Sequence, residues 1–207
     1  RDTRGIVTTM SVADRVAPAR IAALTALIRS TSGESRTLKA PFTDEPLAEI
    51  PASTLDDVDA AFATARSAQA AWAQTSLRER KRVLLKFHDL VLSHQDELMD
   101  LIQVEGGKSR RDAFVEVLHT AMTARFYARR LRRQLEPQRR SGMVPGLVSV
   151  RVNHVPKGVV GIISPWNYPL MMAIPDGLAA IAAGNAVVHK PDSQSPLTTL
   201  AAVELLR

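Results

Sequence analysis

Six consecutive residues, Ser164-Pro165-Trp166-Asn167-Tyr168-Pro169, are the part of this chain best suited to chemistry. They follow Val159-Val160-Gly161-Ile162-Ile163, a continuous apolar run of the kind buried on both faces of a parallel sheet. Two prolines stiffen the loop, so it can aim the Asn167 amide at a developing oxyanion. Removing one such donor costs roughly 3–4 kcal/mol in enzymes where this has been measured. An asparagine between a strand and a helix can equally cap the helix, and by spacing alone the cap is the commoner outcome. A second short run, Ala186-Val187-Val188-His189-Lys190, ends on a cation. Lys190 either lies beside a ribose or phosphate or simply marks the strand end. There is no cysteine, hence no thiolate nucleophile, no disulfide framework and no thiolate metal site. There is no G-x-G-x-x-G, and Gly106-Gly107-Lys108-Ser109 is not a P-loop, because the required earlier glycine falls at Ile102.

The elements around these residues decide whether they meet. Pro169 to Ala183 reads as a helix closed by Gly184-Asn185, the usual left-handed stop. Strand, helix and strand then form a right-handed crossover whose two strands end at the same sheet edge. Ligands of open α/β sheets bind at that edge, so the 164–169 loop and Lys190 are expected to face one crevice. Ser195-Pro196 caps and starts a further helix, with proline at its favoured first position.

Upstream, three helices announce themselves by their caps. The first opens at Thr54 with Asp57 and carries Leu55, Val58, Phe62, Ala65 and Trp72 near one face. The second opens at Ser76 with Glu79 and runs unbroken to Gly106-Gly107. The third opens at Ser109 with Asp112 and runs to about Leu135, burying Phe114, Val117, Leu118, Ala121 and Phe126. Ala40–Ile50 reads as an extended pair around Thr43-Asp44-Glu45-Pro46. Pro137–Gly146 reads as a linker, followed by a largely alternating strand near 147–155. Residues 1–37 carry little pattern, and Met10 is a candidate start. The fold class is α/β, with residues 38–207 as one partial cofactor-binding domain holding helices and an incomplete parallel, Rossmann-like sheet.

Composition excludes other classes. A hydrophobic share of 45% argues against general disorder. No apolar run reaches the roughly 18 residues of a membrane span, and residues 1–30 lack the pattern of a secretory signal. A soluble, cytoplasmic setting without a membrane partner is expected. The net charge of +6 is concentrated between Arg125 and Arg140. No aromatic residue interleaves Arg129-Arg130, Arg132-Arg133 and Arg139-Arg140, so a solvated helix end is favoured over a nucleic-acid surface.

Three segments together resemble the aldehyde dehydrogenase superfamily: Pro165-Trp166-Asn167-Tyr168-Pro169-Leu170, Ala182-Ala183-Gly184-Asn185-Ala186-Val187-Val188-His189-Lys190-Pro191 and Gln194-Ser195-Pro196-Leu197. Glu105-Gly106-Gly107-Lys108 and Pro156-Lys157-Gly158-Val159-Val160-Gly161 fit the same pattern. The resemblance covers about residues 38–207, the N-terminal part of a chain normally more than twice this long. It implies that Asn167 supplies the side-chain half of an oxyanion hole. It also implies that Ile163, Ser164, Pro165 and Trp166 lie along a nicotinamide dinucleotide, and that Lys190 contacts its adenosine ribose. Tyr168 and Met172 match positions lining the substrate tunnel. Ser193 stands where NAD-preferring members usually carry glutamate. A serine there can donate to a 2′-phosphate that a carboxylate would repel, so NADP is expected over NAD.

Within the family the sequence looks most like actinobacterial NADP-dependent succinate-semialdehyde dehydrogenases, which implies a small aldehyde substrate and a homo-oligomeric full-length protein. In the family a cysteine thiolate attacks the aldehyde, and a glutamate-activated water releases the acid. Both residues fall in the catalytic domain beyond Arg207, so the chain alone is expected to be an inactive fragment. The alternative is a non-catalytic cofactor-binding or oligomerising module.

Overall fold

The computed structural model describes residues 15–144 and 147–207, so Met10 lies outside the described residues. Its elements in chain order are α1 (Pro18–Thr25), β1 (Ser35–Lys39), β2 (Pro46–Pro51), α2 (Leu55–Trp72), α3 (Leu77–Ser93), α4 (Gln95–Gly106), α5 (Arg110–Leu135), β3 (Gln138–Ser141), β4 (Ser149–Val152), β5 (Val159–Ile163), α6 (Ile174–Ala182), β6 (Ala186–Lys190) and α7 (Pro196–Leu205). The fold is α/β, as expected. Among the described residues the strands form three two-stranded sheets: β1 with β2 antiparallel, β3 with β4 antiparallel, and β5 with β6 parallel.

Helix α5 is the spine. Its buried stripe is Ala113, Glu116, Val117, Thr120, Ala121, Ala124, Ala128 and Leu131, and α3, α4 and α6 pack along it. Small residues let the neighbouring backbones come close, where Leu84, Phe87 and Val91 of α3 fill the space completely. The larger residues Phe114, Leu118 and Phe126, expected inside, lie on the adjoining face and are exposed. The helix has two apolar stripes, and the one compatible with close packing is the one buried.

Further expectations differ from the structure. The segment Ser76–Gly107 is two helices, because the chain breaks at His94 (φ −104°, ψ 19°). There the Ser93 hydroxyl and the His94 ring both reach the Leu90 carbonyl and compete with the helical ladder. The linker after Pro137 contains β3, which pairs with β4 inside the strand expected near 147–155. The weakly patterned segment 1–37 contains α1, whose Arg20 binds Glu97 of α4 and Glu204 of α7, each at 2.5 Å. The unit boundary drawn between residues 37 and 38 falls inside β1. Helix α2 buries only Asp57 fully, and Leu55 and Val58 of its expected stripe are exposed.

The helix caps at Thr54, Ser76 and Ser109 are all present. At Thr54 the backbone N–H and the hydroxyl hold the Asp57 carboxyl down to about 2. Two residues then fix the crossover. Arg80 donates to Ala73 O of α2's end at 2.8 Å and to Ala182 O at α6's end at 3.4 Å, so one guanidinium closes two helices. Gly184 (φ +91°) passes so close that a Cβ there would stand 2.6–2.9 Å from that guanidinium. Asn185, also buried, joins Gly158 N to Ala180 O through its amide.

Candidate functional site

The parallel register Ile163↔Lys190 brings the ends of β5 and β6 side by side, and Ser164 N donates to Lys190 O at 3.3 Å. The loop after β5 and the loop after β6 therefore open on one edge, as the crossover argument requires. Ser164 is buried, with its hydroxyl 2.9 Å from His189 Nε2. Burial lowers the His189 imidazole to about 4, which leaves it neutral beside Ser164 at neutral pH. The two loops are also tied directly. Ser195 Oγ donates to Trp166 O at 2.9 Å, and Thr199 Oγ1 to Pro169 O at 2.6 Å.

Ile163, Trp166, Asn167, Tyr168 and Met172 are exposed on this edge, and Pro165 is half-buried between them. Helix α6 begins at Ile174, five residues later than expected, so Tyr168 and Met172 sit in irregular turns ahead of it. Asn167 is thus no helix cap, and its side chain makes no hydrogen bond to the described residues. The delay has a cause. The Glu116 carboxylate, fully buried on α5, accepts from Leu170 N at 3.1 Å and Met171 N at 3.2 Å. Lys108 pairs with Glu116 and places its ammonium 3.7 Å from the centre of the Tyr168 ring.

The loop after β6 is held in a parallel way. The Glu105 carboxylate accepts from Leu197 N and Thr198 N, both at 2.7 Å, and so caps α7 in place of the expected Ser195. Burial raises the Glu105 carboxyl to about 7. Asp192 turns its carboxylate back into its own loop, accepting from Gln194 N at 2.9 Å. Lys190 is exposed, and among the described residues its ammonium reaches only Pro191 O, at 3.5 Å. Ser193, half-buried, accepts from Arg36 Nη1 of β1 at 3.1 Å. A crevice of about 310 Å³ runs between β1 and this loop, lined by Arg36, Lys39, Glu105, Trp166, Ser193 and Gln194 among others.

The sequence reading missed Glu105, Glu116, Lys108 and Arg36. Glu116 carried a signal, since it stands in register with Ala113, Val117, Thr120 and Ala124 on the buried stripe. Arg36 carried none, because its partner is 157 residues away. Among the described residues no group of three His, Asp or Glu side chains stands ready for a metal ion. No helix among them is long and apolar enough to cross a membrane.

Known proteins are similar to this chain in sequence and in fold. A protein of Mycolicibacterium smegmatis, provisionally named a succinate-semialdehyde dehydrogenase (NADP(+)), is 48% identical over 188 residues, which is 91% of this chain and 36% of the relative. The chain spans about a third of the length of the curated relatives it matches. Among solved structures, an E. coli NADP-dependent enzyme superposes with a TM-score of 0.81 at 30% identity, covering 86% of this chain and 37% of that one. A NAD-dependent benzaldehyde dehydrogenase from Corynebacterium glutamicum superposes with a TM-score of 0.79 at 33% identity, covering 86% and 39%. The pattern of the aldehyde dehydrogenase family matches residues 28–207, and with that match over the strand edge, its two loops and their supports, the chain belongs to the aldehyde dehydrogenase family.

Proposed function

We propose that this chain forms the cofactor-binding side of an NADP-dependent dehydrogenase acting on a small aldehyde, with succinate semialdehyde as the substrate. The observation that carries the reading is the β5–β6 register, which gathers Trp166, Asn167, Lys190 and Ser193 at one edge. The residues suit a phosphorylated dinucleotide. Lys190 has no carboxylate partner among the described residues, Asp192 is turned away, and Ser193 offers a hydroxyl. The name of the Mycolicibacterium smegmatis relative supports both the cofactor and the substrate.

When bound, the nicotinamide cofactor accepts hydride from the substrate carbon. The chain's own residues bind and orient. Ile163, Ser164, Pro165 and Trp166 form the bed for the dinucleotide, and Lys190 and Ser193 hold its adenosine end. The free amide of Asn167 donates a hydrogen bond to the oxyanion that forms on the aldehyde oxygen, while Tyr168 and Met172 wall the substrate. Glu116, with Lys108, keeps that loop in place. The covalent step of the family needs a thiolate, and these 207 residues contain no cysteine. Binding without turnover is therefore expected of this chain alone. The second reading is a non-catalytic cofactor-binding or oligomerising module. A cysteine-bearing longer chain that oxidises succinate semialdehyde would decide for the enzyme.

Cofactor binding is read by energy transfer from tryptophan to reduced nicotinamide in a Trp72→Phe background. NADPH is expected to bind tighter than NADH, and Asn167→Ala to leave both affinities unchanged. Equal affinities would overturn the NADP assignment, and no transfer at all would overturn the site.

A further inference from the structure

At the β5–β6 edge, backbone N–H groups that could receive an anion are already committed to glutamates. In open α/β sheets a phosphate commonly sits on the N–H groups at a helix N-terminus. Here a glutamate occupies the first two N–H groups of α7, and another occupies a pair in the turns ahead of α6. Glu116 takes Leu170 N and Met171 N ahead of α6, and Glu105 takes Leu197 N and Thr198 N of α7. A phosphate arriving at Ser193 therefore finds carboxylates in these positions, and its attraction must come from side-chain cations.

One such cation comes from the far end of the chain. We infer that Arg36, reaching from β1 to Ser193, is the specificity-determining cation for the 2′-phosphate of NADP(H). The inference rests on the cofactor reading above. Strand alternation separates Arg36 from the nearest acid on the hairpin. Ser35 and Thr37 face Glu49, whose oxygens accept from both hydroxyls at 2.8 and 2.6 Å, and Arg36 faces the other way. Lys39, three residues on, is paired with Asp44 at 3.0 Å, whereas Arg36 has no carboxylate partner among the described residues. One N–H of its guanidinium is spent on Ser193 at 3.1 Å. The rest of the planar fork remains for a second acceptor beside that hydroxyl, and a phosphate oxygen matches its geometry. Lys190 ends β6, three residues before Ser193. An unphosphorylated 2′-hydroxyl offers nothing that needs two cations.

The test compares 2′,5′-ADP with 5′-AMP binding to the 207-residue chain by calorimetry, in the wild type, Arg36→Ala and Arg36→Gln. Arg36→Gln keeps a donor for Ser193 and removes only the charge, and circular dichroism melts check that each variant remains folded. Both variants are expected to weaken 2′,5′-ADP by about 10- to 100-fold, the range of a charge-assisted hydrogen bond, and to leave 5′-AMP unchanged. Wild-type chain that favours 2′,5′-ADP, with the preference intact in both variants, overturns the role of Arg36 alone. Parallel losses for both nucleotides overturn it as well, since the residue would then be structural. Wild-type chain with no preference for 2′,5′-ADP overturns the NADP reading and this inference together.

Discussion

The two loops at the sheet edge are anchored by the same device and yet differ in electrical condition. Each has a pair of backbone N–H groups held by a buried glutamate from the helical layer, Glu116 for the 164–173 loop and Glu105 for the 191–195 loop. Glu116 has Lys108 as a counter-ion. Glu105 has no cation in contact among the described residues, and burial raises it to about 7. Glu116 is held by its ion pair, while Glu105 has only backbone donors to set against its burial.

The largest effect should come from breaking the paired anchor. Glu116→Leu strands the Lys108 ammonium and orphans two N–H groups, and is expected to cost about 3–5 kcal/mol in urea unfolding. Adding Lys108→Met should recover part of the loss. A cost no larger than that of changing the exposed Glu34 would refute the anchoring role. Next in size is the pH response of the unpaired anchor. A carboxyl raised from 4.5 to about 7 keeps its proton in the folded state while the unfolded chain releases it. Its contribution therefore makes stability fall as pH rises between those values, then level off. The swing is about 3 kcal/mol for this fully buried group. His189 acts in the opposite sense. Lowered from 6.5 to about 4, it costs stability as pH falls through that window. The clean measurement is the difference between wild type and Glu105→Gln across pH 4.5 to 7, which isolates the glutamate. A difference that does not vary with pH would show that Glu105 is ionised throughout. The smallest effect is expected from Ser195→Ala, which removes the bond to Trp166 O that couples the loops. A loss of about 1 kcal/mol and a shift of Trp166 emission are anticipated.

The legible parts of the molecule were the local ones. Caps at Thr54, Ser76 and Ser109, the glycine stop at Gly184 and the period change at β5 are written within a few residues each, and they were enough to place Asn167 and Lys190 at one edge. What escaped is set by contacts across the chain. The late start of α6 depends on Glu116, 54 residues upstream, and the cap of α7 on Glu105, 92 residues upstream. The buried face of α5 was read correctly at Val117 and Ala121 but misjudged at Phe114 and Leu118, because hydrophobicity ranks these above Ala124 and Ala128, whereas close helix packing selects the small residues. The break at His94 turns on two polar side chains that spacing alone would leave inside a helix.

The occupied helix termini have a last consequence, for how such a site changes over time. Where a fold grips phosphate with its backbone, preference is built into the chain path and alters only when the path does. Here the first two N–H groups of α7 are committed to Glu105, so on the proposed cofactor reading discrimination between dinucleotides falls to the side chains at 36, 190 and 193. Three positions on separate elements can be exchanged one at a time without moving a strand.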